Sequence, residues 1–222
     1  MSSDKTSSPV QHKTDKRRFS PSAERNRDFI YKVLKKFLPN KGILLEIASG
    51  TGDHAAWIGP KIAPVKWQTT EYNKDLFPSI CAHIAHTESS NILNPVYVDV
   101  IQNNWSFETK TQDKLINNVD VITCINMIHI SPWEATLGLL SGAADILKKD
   151  GVLYLYGPFF QDSVETAPSN SQFDYSLRQQ NDSWGIRDLN TVEEVAKSNG
   201  LTLEEVIQMP ANNLSVIFRK SA

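Results

Sequence analysis

The stretch Leu44-Leu45-Glu46-Ile47-Ala48-Ser49-Gly50-Thr51-Gly52-Asp53-His54 limits what this chain can fold into more than any other. An apolar run stops abruptly at small residues and two glycines. Ala55, Ala56, Trp57 and Ile58 then resume at roughly helical spacing. The pattern predicts a buried strand, a tight loop and a helix. Glycine permits the sharp turn and lets a ligand approach the backbone, and the helix start offers unpaired N–H groups at a positive dipole end. Such a corner belongs to an α/β fold and suits a nucleotide-like ligand.

Two ligand classes use this corner. Gly50-Thr51-Gly52-Asp53-His54-Ala55 fits G-x-G-x-x-A, the dinucleotide fingerprint. Counted from Glu46, the same residues fit E-x-x-x-G-x-G, which resembles motif I of class I S-adenosylmethionine-dependent methyltransferases. Glu46 separates the two. A carboxylate at the strand end repels a pyrophosphate, whereas S-adenosylmethionine carries an ammonium and a sulfonium and no phosphate. The methyltransferase reading is the stronger; a dehydrogenase and an α/β turn without a ligand stand as alternatives.

At 222 residues the chain fits one domain, and 40% hydrophobic with 22% charged residues suits a soluble globular protein. A formal net charge of −2 gives no general attraction to nucleic acid or to a membrane surface. Cys81 and Cys124 stand in apolar surroundings far apart and are expected to be buried free thiols of a cytoplasmic protein. No Cys/His cluster has zinc spacing, so no metal is expected, and no run is long enough to span a bilayer. Residues 1–18 are polar, end in Lys16-Arg17-Arg18 and lack an apolar h-region. They read as a disordered tail rather than a secretory signal, with residues 19–222 as a single domain.

In chain order, Ser20-Pro21 caps and opens a helix over 19–38, with an apolar stripe from Phe29 to Leu38. Its polar knot Glu24-Arg25-Asn26 is either a solvated first turn or a lid segment from which Arg25 or Asn26 reaches a cofactor. Val65–Glu71 alternates as a second strand. Glu71 falls about 20 residues past Gly50, where an acid grips a ribose diol. Asp75 to Thr87 reads as a helix, and Val96–Val100 as a third strand ending near Asp99, whose carboxylate can accept from an adenine amino group. Residues 102–117 are polar and loop-like, with Trp105 and Phe107 as packing anchors.

Val119–Ile125 is the most strand-like run, hence central, and leads into Asn126-Met127-Ile128-His129. Ser131-Pro132-Trp133-Glu134 then supplies a cap, a first-turn proline and a capping-box Glu for a helix that Gly151 ends. Val152–Tyr156 is a fifth strand. Residues 160–190 read as a long polar loop, a lid-like insertion carrying Phe173, Tyr175, Arg178, Trp184 and Arg187. A capping box at Thr191 opens another helix, and Leu201–Met209 and Leu214–Phe218 form an antiparallel pair.

From about Ser20 to Lys220 the chain resembles the methyltransferase-like 26 proteins, also grouped as the DUF938 family. The marks are Ala23-Glu24-Arg25-Asn26, Glu46 to Ala56, Cys124 to Pro132, Tyr156-Gly157-Pro158-Phe159, Trp184-Gly185-Ile186-Arg187-Asp188 and Met209-Pro210-Ala211-Asn212-Asn213. The resemblance implies a Rossmann-like seven-stranded sheet, mostly parallel with an antiparallel last strand, and S-adenosyl-L-methionine as cofactor. The expected cofactor residues are Arg25, Asn26, Glu46, Ala48, Gly50, Gly52, His54, Glu71, Asp99, Val100, Asn126 and Met127. The expected reaction is methyl transfer to a small molecule whose acceptor atom is O, N or S. His129 is the candidate base, because a histidine beside the cofactor corner can titrate near neutrality. Asn126 would orient cofactor or acceptor. Tyr156, Phe159, Phe173, Tyr175, Arg178, Trp184, Arg187 and Asn212 are the candidate acceptor-side residues. A protein or RNA methyltransferase, or a cofactor-binding protein without catalysis, is the other reading.

Overall fold

The computed structural model describes residues 15–102, 105 and 118–221. Helix α1 (Pro21–Leu34) starts as the sequence predicts: the Ser20 hydroxyl accepts the Ala23 N–H at 3.4 Å and Pro21 stands in the first turn. Alternation follows, with β1 (Ile43–Ile47), α2 (Asp53–Ile58), β2 (Lys66–Glu71), α3 (Phe77–Thr87) and β3 (Ile92–Tyr97). After β4 (Val119–Ile125) come α4 (Trp133–Ile146), β5 (Leu147–Gly157) and β6 (Phe159–Phe160). The chain then forms α5 (Pro168–Gln180), β7 (Arg187–Asp188), α6 (Leu189–Ser198), β8 (Leu201–Met209) and β9 (Asn213–Lys220).

Seven strands make one sheet in the order β3-β2-β1-β4-β5-β9-β8. Strands β1 to β5 pair in parallel, whereas β9 runs antiparallel to both β5 and β8. The last strand of the chain is therefore the reversed one, as expected, and it is inserted between its neighbours rather than added at the edge. The strand order reverses between β1 and β4, and a crevice opens outside their carboxyl ends. Strands β6 and β7 form a separate parallel ribbon pairing Phe159 with Arg187 and Phe160 with Asp188.

Period-2 alternation builds a core on each face of the sheet. Leu45, Ile122, Cys124, Leu153, Leu155 and Phe218 face α4 and α6, where Leu139, Leu140, Val192 and Ala196 are buried. Leu44, Trp67, Val121, Tyr154 and Ile217 face α1 and α2, against Ile30, Leu34, Ala55 and Ile58. No helix among the described residues is long and apolar enough to cross a membrane.

Several boundaries differ from expectation. Strand β3 spans Ile92–Tyr97 rather than Val96–Val100, with Pro95 inside it. It is an edge strand, where a missing N–H costs no ladder bond. Helix α4 has Pro132 as N-cap and no side-chain cap, because the Ser131 hydroxyl donates back to the Met127 carbonyl at 2.8 Å. It ends at Ile146, since Leu147 already pairs with Val119 in the sheet, and Lys148 binds Asp120 at 2.8 Å instead of a helix end. The stretch 160–190 holds helix α5 instead of an irregular loop. Asp188, not Thr191, caps α6, accepting the Thr191 N–H at 2.8 Å. Cys124 is buried, but Cys81 lies on the exposed side of α3. Trp105 is the expected anchor, 4% exposed against Gly142 of α4. Phe107 and most of the polar tail lie outside the described residues.

Candidate functional site

The corner after β1 is shaped by backbone. At Ala48, Gly50 and Gly52 φ is 56°, 57° and 97°. A Cβ on Gly52 would stand 2.9 Å from the Ile80 Cα, whereas one on Gly50 would meet nothing within 4 Å. Gly52 is thus closed against α3, and Gly50 presents bare backbone to open space. Ser49 stitches the loop to β2: its N–H donates to the Thr70 carbonyl at 2.8 Å and its hydroxyl accepts the Thr70 N–H at 3.1 Å.

Acidic side chains surround this loop. Glu71 Oε2 accepts the Gly50 N–H at 2.8 Å and Oε1 accepts the Asn73 N–H at 2.9 Å. Asp53 opens α2 and accepts from the Ser20 N–H at 3.3 Å and from the Thr51 hydroxyl. Glu46 lies beneath, 2% exposed, accepting the Trp67 indole N–H at 3.0 Å. Burial, with lesser repulsion from Glu71 and Asp53, pushes the Glu46 carboxyl up to about 7. Burial also raises Glu71.

A cavity of about 700 Å³ opens where β1, β2 and β4 end, at Ile47, Glu71 and Ile125. Of the expected residues, Ala48, Gly50, His54, Glu71, Asp99, Val100, Asn126, Met127 and Trp184 line it. Asp99 is held in a turn, accepting the Ile101 N–H at 3.0 Å and the Gln102 amide at 3.2 Å. Asn126 takes a φ of 61°, its N–H donating to the Tyr156 carbonyl at 2.8 Å and its carbonyl accepting the His129 N–H at 3.1 Å. His54 Nε2 donates to Asn26 Oδ1 at 2.8 Å, and burial holds the imidazole down at about 4, hence neutral. No Lys or Arg is among the described residues that line the cavity.

The remaining expected residues stand elsewhere. Gly52 and Glu46 support the loop from below, and Asn26 stands behind His54. Arg25 is exposed to solvent. Tyr156 and Phe159 are 4% and 5% exposed and belong to the two cores. Phe173 and Tyr175 are solvent-facing on α5, and Arg178 there binds Asp174 at 2.8 Å. The Asn212 amide donates to the Ser169 hydroxyl at 2.9 Å on the surface. Of the stretch 160–190, Trp184 is the described residue that reaches the cavity wall.

His129 corrects the expectation most directly. It is fully buried behind the wall, edge-on to Phe159 with ring centroids 5.1 Å apart. Its Nδ1 accepts the Arg187 N–H at 3.4 Å, its carbonyl accepts the Gly185 N–H at 3.0 Å, and its Nε2 has no partner among the described residues. A Cβ on Gly157 would stand 2.5 Å from Nε2. Burial, then the nearby Arg187 charge, lowers its pKa to about 3. A side chain so placed is a neutral bracket and a very weak base. Arg187 completes the bracket, donating from Nε to the Ile128 carbonyl at 2.9 Å and from Nη2 to the Ser131 and Ser183 carbonyls at 2.5 and 3.0 Å.

Other cavity residues escaped the sequence reading. Tyr72, Ile101, Ile130 and Pro132 form much of the wall, each within six residues of an expected site residue. Ser20, Ser22 and Ala23 bring the start of α1 over the cavity. The chain entering α1 is pinned: the Arg18 N–H donates to Ser79 Oγ and His83 Nε2 to the Arg18 carbonyl, both at 2.8 Å, and Ser79 Oγ donates to the Thr51 carbonyl at 2.8 Å.

The family model described as "Protein of unknown function (DUF938)" matches residues 17–220. Among solved structures, the chain is similar to an O-methyltransferase family protein from Burkholderia thailandensis, at 13% identity over 90% of this chain and a TM-score of 0.72. It is similar to human N-acetylserotonin methyltransferase in complex with SAM, at 10% identity, 90% coverage and a TM-score of 0.70. It is also similar to the pyocyanin biosynthetic protein PhzM, at 15% identity, 90% coverage and a TM-score of 0.68. The chain spans 57%, 53% and 59% of those three chains, respectively. The fold is that of the class I S-adenosylmethionine-dependent methyltransferases.

Proposed function

The chain belongs to the DUF938 family, and from its fold and the cavity at the strand ends we propose that it is an S-adenosylmethionine-dependent methyltransferase acting on a small molecule. The observation that carries this reading is the charge pattern of the corner. Glu71 binds the open backbone at Gly50 and lines the cavity with Asp99; Glu46 and Asp53 lie buried by the same loop, and the described wall holds no cation. A diphosphate would lie among carboxylates there. A ligand bearing an ammonium and a sulfonium relieves their mutual repulsion. The similarity to methyltransferases of small molecules supports the same reading.

Glu71 would hold the ribose hydroxyls, since each of its oxygens keeps a lone pair beyond the one used by Gly50 or Asn73. Asp99 and Val100 would meet the base, with Tyr72 and Met127 as further walls. Asn126, locked by two backbone hydrogen bonds, fixes the end of β4 beside the loop. When bound, the cofactor supplies an electrophilic methyl group. The protein's task is then alignment, with reacting atoms about 3–3.5 Å apart, and exclusion of water by the start of α1 and Trp184.

Calorimetric titration with S-adenosylhomocysteine and, in parallel, NADH tests the reading. Micromolar binding of the former, weakened ten- to a hundredfold in Glu71→Ala, is expected, because a charge-assisted hydrogen bond contributes about 1.5–3 kcal/mol. Binding of NADH alone would overturn it.

A further inference from the structure

The wall away from the strand ends is apolar and chemically quiet. Trp184, Ile130 and Pro132 line it together with Ser20, Ser22 and Ala23 from the start of α1. Tyr72, Ile101 and Ile130 line the cavity while 63%, 49% and 45% exposed, so its mouth is apolar too. The polar groups near it are already engaged. The Ser20 and Ser22 hydroxyls bind each other at 2.8 Å, and Ser131 Oγ donates to the Met127 carbonyl.

None of the described groups suits the work of removing a proton. Glu71 accepts the Gly50 and Asn73 N–H groups and is committed to the ribose hydroxyls in the reading above, and Asp99 has both oxygens bound to Ile101 and Gln102 in its own turn. Glu46 is sealed beneath the loop, 2% exposed and bound to the Trp67 indole. His54 is tied to Asn26 and is held neutral far below neutrality. His129 is sealed behind the wall. Among the described residues no group of three His, Cys, Asp or Glu is placed to hold a metal. An alcohol or phenol acceptor needs a base or a metal, and an alkylamine must first lose a proton. The absence of Lys and Arg from the described wall disfavours an acceptor with a permanent carboxylate or phosphate charge.

We propose that the methyl acceptor is an uncharged, flat or apolar thiol seated against Trp184, a proposal that rests on the methyltransferase reading above. A thiol enters neutral, and a few per cent is thiolate at pH 7 without help, which already makes a strong nucleophile. Its proton passes to water before transfer. The thiolate sulfur forms a bond to the methyl carbon as the donor's carbon–sulfur bond breaks, and the electron pair stays on the departing sulfur, which becomes a neutral thioether. Trp184 is the specificity-determining side chain. Arg187 and His129 are positioning residues, since they bind the segment carrying Trp184 to the loop after β4.

Phenylmethanethiol, benzyl alcohol and benzylamine share one ring and differ in the acceptor atom. With the full chain and S-adenosylmethionine, phenylmethanethiol should be methylated at least a hundredfold faster than the other two. With S-adenosylhomocysteine bound, calorimetry should detect benzyl methyl sulfide, and Trp184→Ala should weaken it about tenfold while S-adenosylhomocysteine affinity stays within twofold. Trp184→Phe should recover most of the loss. Methylation of benzyl alcohol or benzylamine at a comparable rate would overturn the proposal. So would cofactor binding with no turnover of phenylmethanethiol, or thioether affinity indifferent to Trp184→Ala. Failure to bind S-adenosylhomocysteine at all would instead refute the methyltransferase reading, and this proposal with it.

Discussion

Two regions of the molecule bury a titratable side chain, and they do so for opposite ends. At the corner after β1 Glu46 is an acid lifted to about 7, in a cluster with Glu71 and Asp53. At the bracket His129 is a base lowered to about 3, beside Arg187. The corner gathers three carboxylates whose described partners are all neutral donors. The bracket arranges neutral and cationic donors on carbonyls and leaves the Nε2 hydrogen as its one unpartnered feature among the described residues. Among the described residues no cation answers the first arrangement, whereas in the second a guanidinium already spans three carbonyls. On the proposed reading, the binding site and the structural joint differ in their electrostatics, not in residue type.

Gly52→Val is the hardest blow to one side of this contrast. At a φ of 97°, and with Ile80 Cα 2.9 Å from the new Cβ, the corner cannot close. S-adenosylhomocysteine affinity should fall more than about a hundredfold, measured by calorimetry, an alignment loss of about 3 kcal/mol. Retained affinity would show that the loop does not bind the ligand.

The two buried groups also predict opposite pH slopes. Glu46, raised from 4.5 to about 7, costs stability as pH climbs through that window, because the unfolded chain ionises first. At pH 8 the cost is at most about 3 kcal/mol. His129, lowered from 6.5 to about 3, favours the fold above 6.5 and loses that advantage as pH falls towards 3. Between about 4.5 and 6.5 the slopes oppose each other. Glu46→Gln keeps an acceptor for Trp67 and should raise the urea midpoint at pH 8 more than at pH 5. Equal gains at both pH values would mean that Glu46 is ionised throughout.

Arg187→Ala removes the donor to three carbonyls and should lower unfolding free energy by about 2 kcal/mol, followed by urea titration. Arg187→Lys should recover little, since an ammonium cannot span the same fork. Tyr175→Ser should do least, a change within about 0.5 kcal/mol and unaltered cofactor affinity. Tyr175 is 61% exposed, and a large effect would revive its expected place at the acceptor.

The corner was legible because it is local. Strand, glycines and Glu71 lie within one β-α-β passage, where spacing alone fixes geometry. The reversed β9 followed from the family resemblance, and its pairing from two alternating runs. The acceptor side was not legible in the same way. Phe173, Tyr175 and Arg178 share a segment with Trp184, but a helix turned the first three outward, and the segment's polarity concealed that helix. His129 looked like a base from its place after β4. Its partners come from residues 185 and 187, and no local pattern announces that meeting. Tyr72 and Ile130 were within reach, being direct neighbours of Glu71 and of the Asn126–His129 turn.

The pinning of the chain before α1 has a mechanical consequence. Arg18 is tied to Ser79, and Ser79 to Thr51, so two hydrogen bonds lead from the entering chain to the residue between the loop glycines. A load applied upstream of residue 18, by a fused tag or a tethered bead, would be carried along that line to the loop after β1. If the proposed cofactor binds there, pulling should speed its escape before the sheet yields. The entering segment therefore acts as a leash with its far end tied at Thr51.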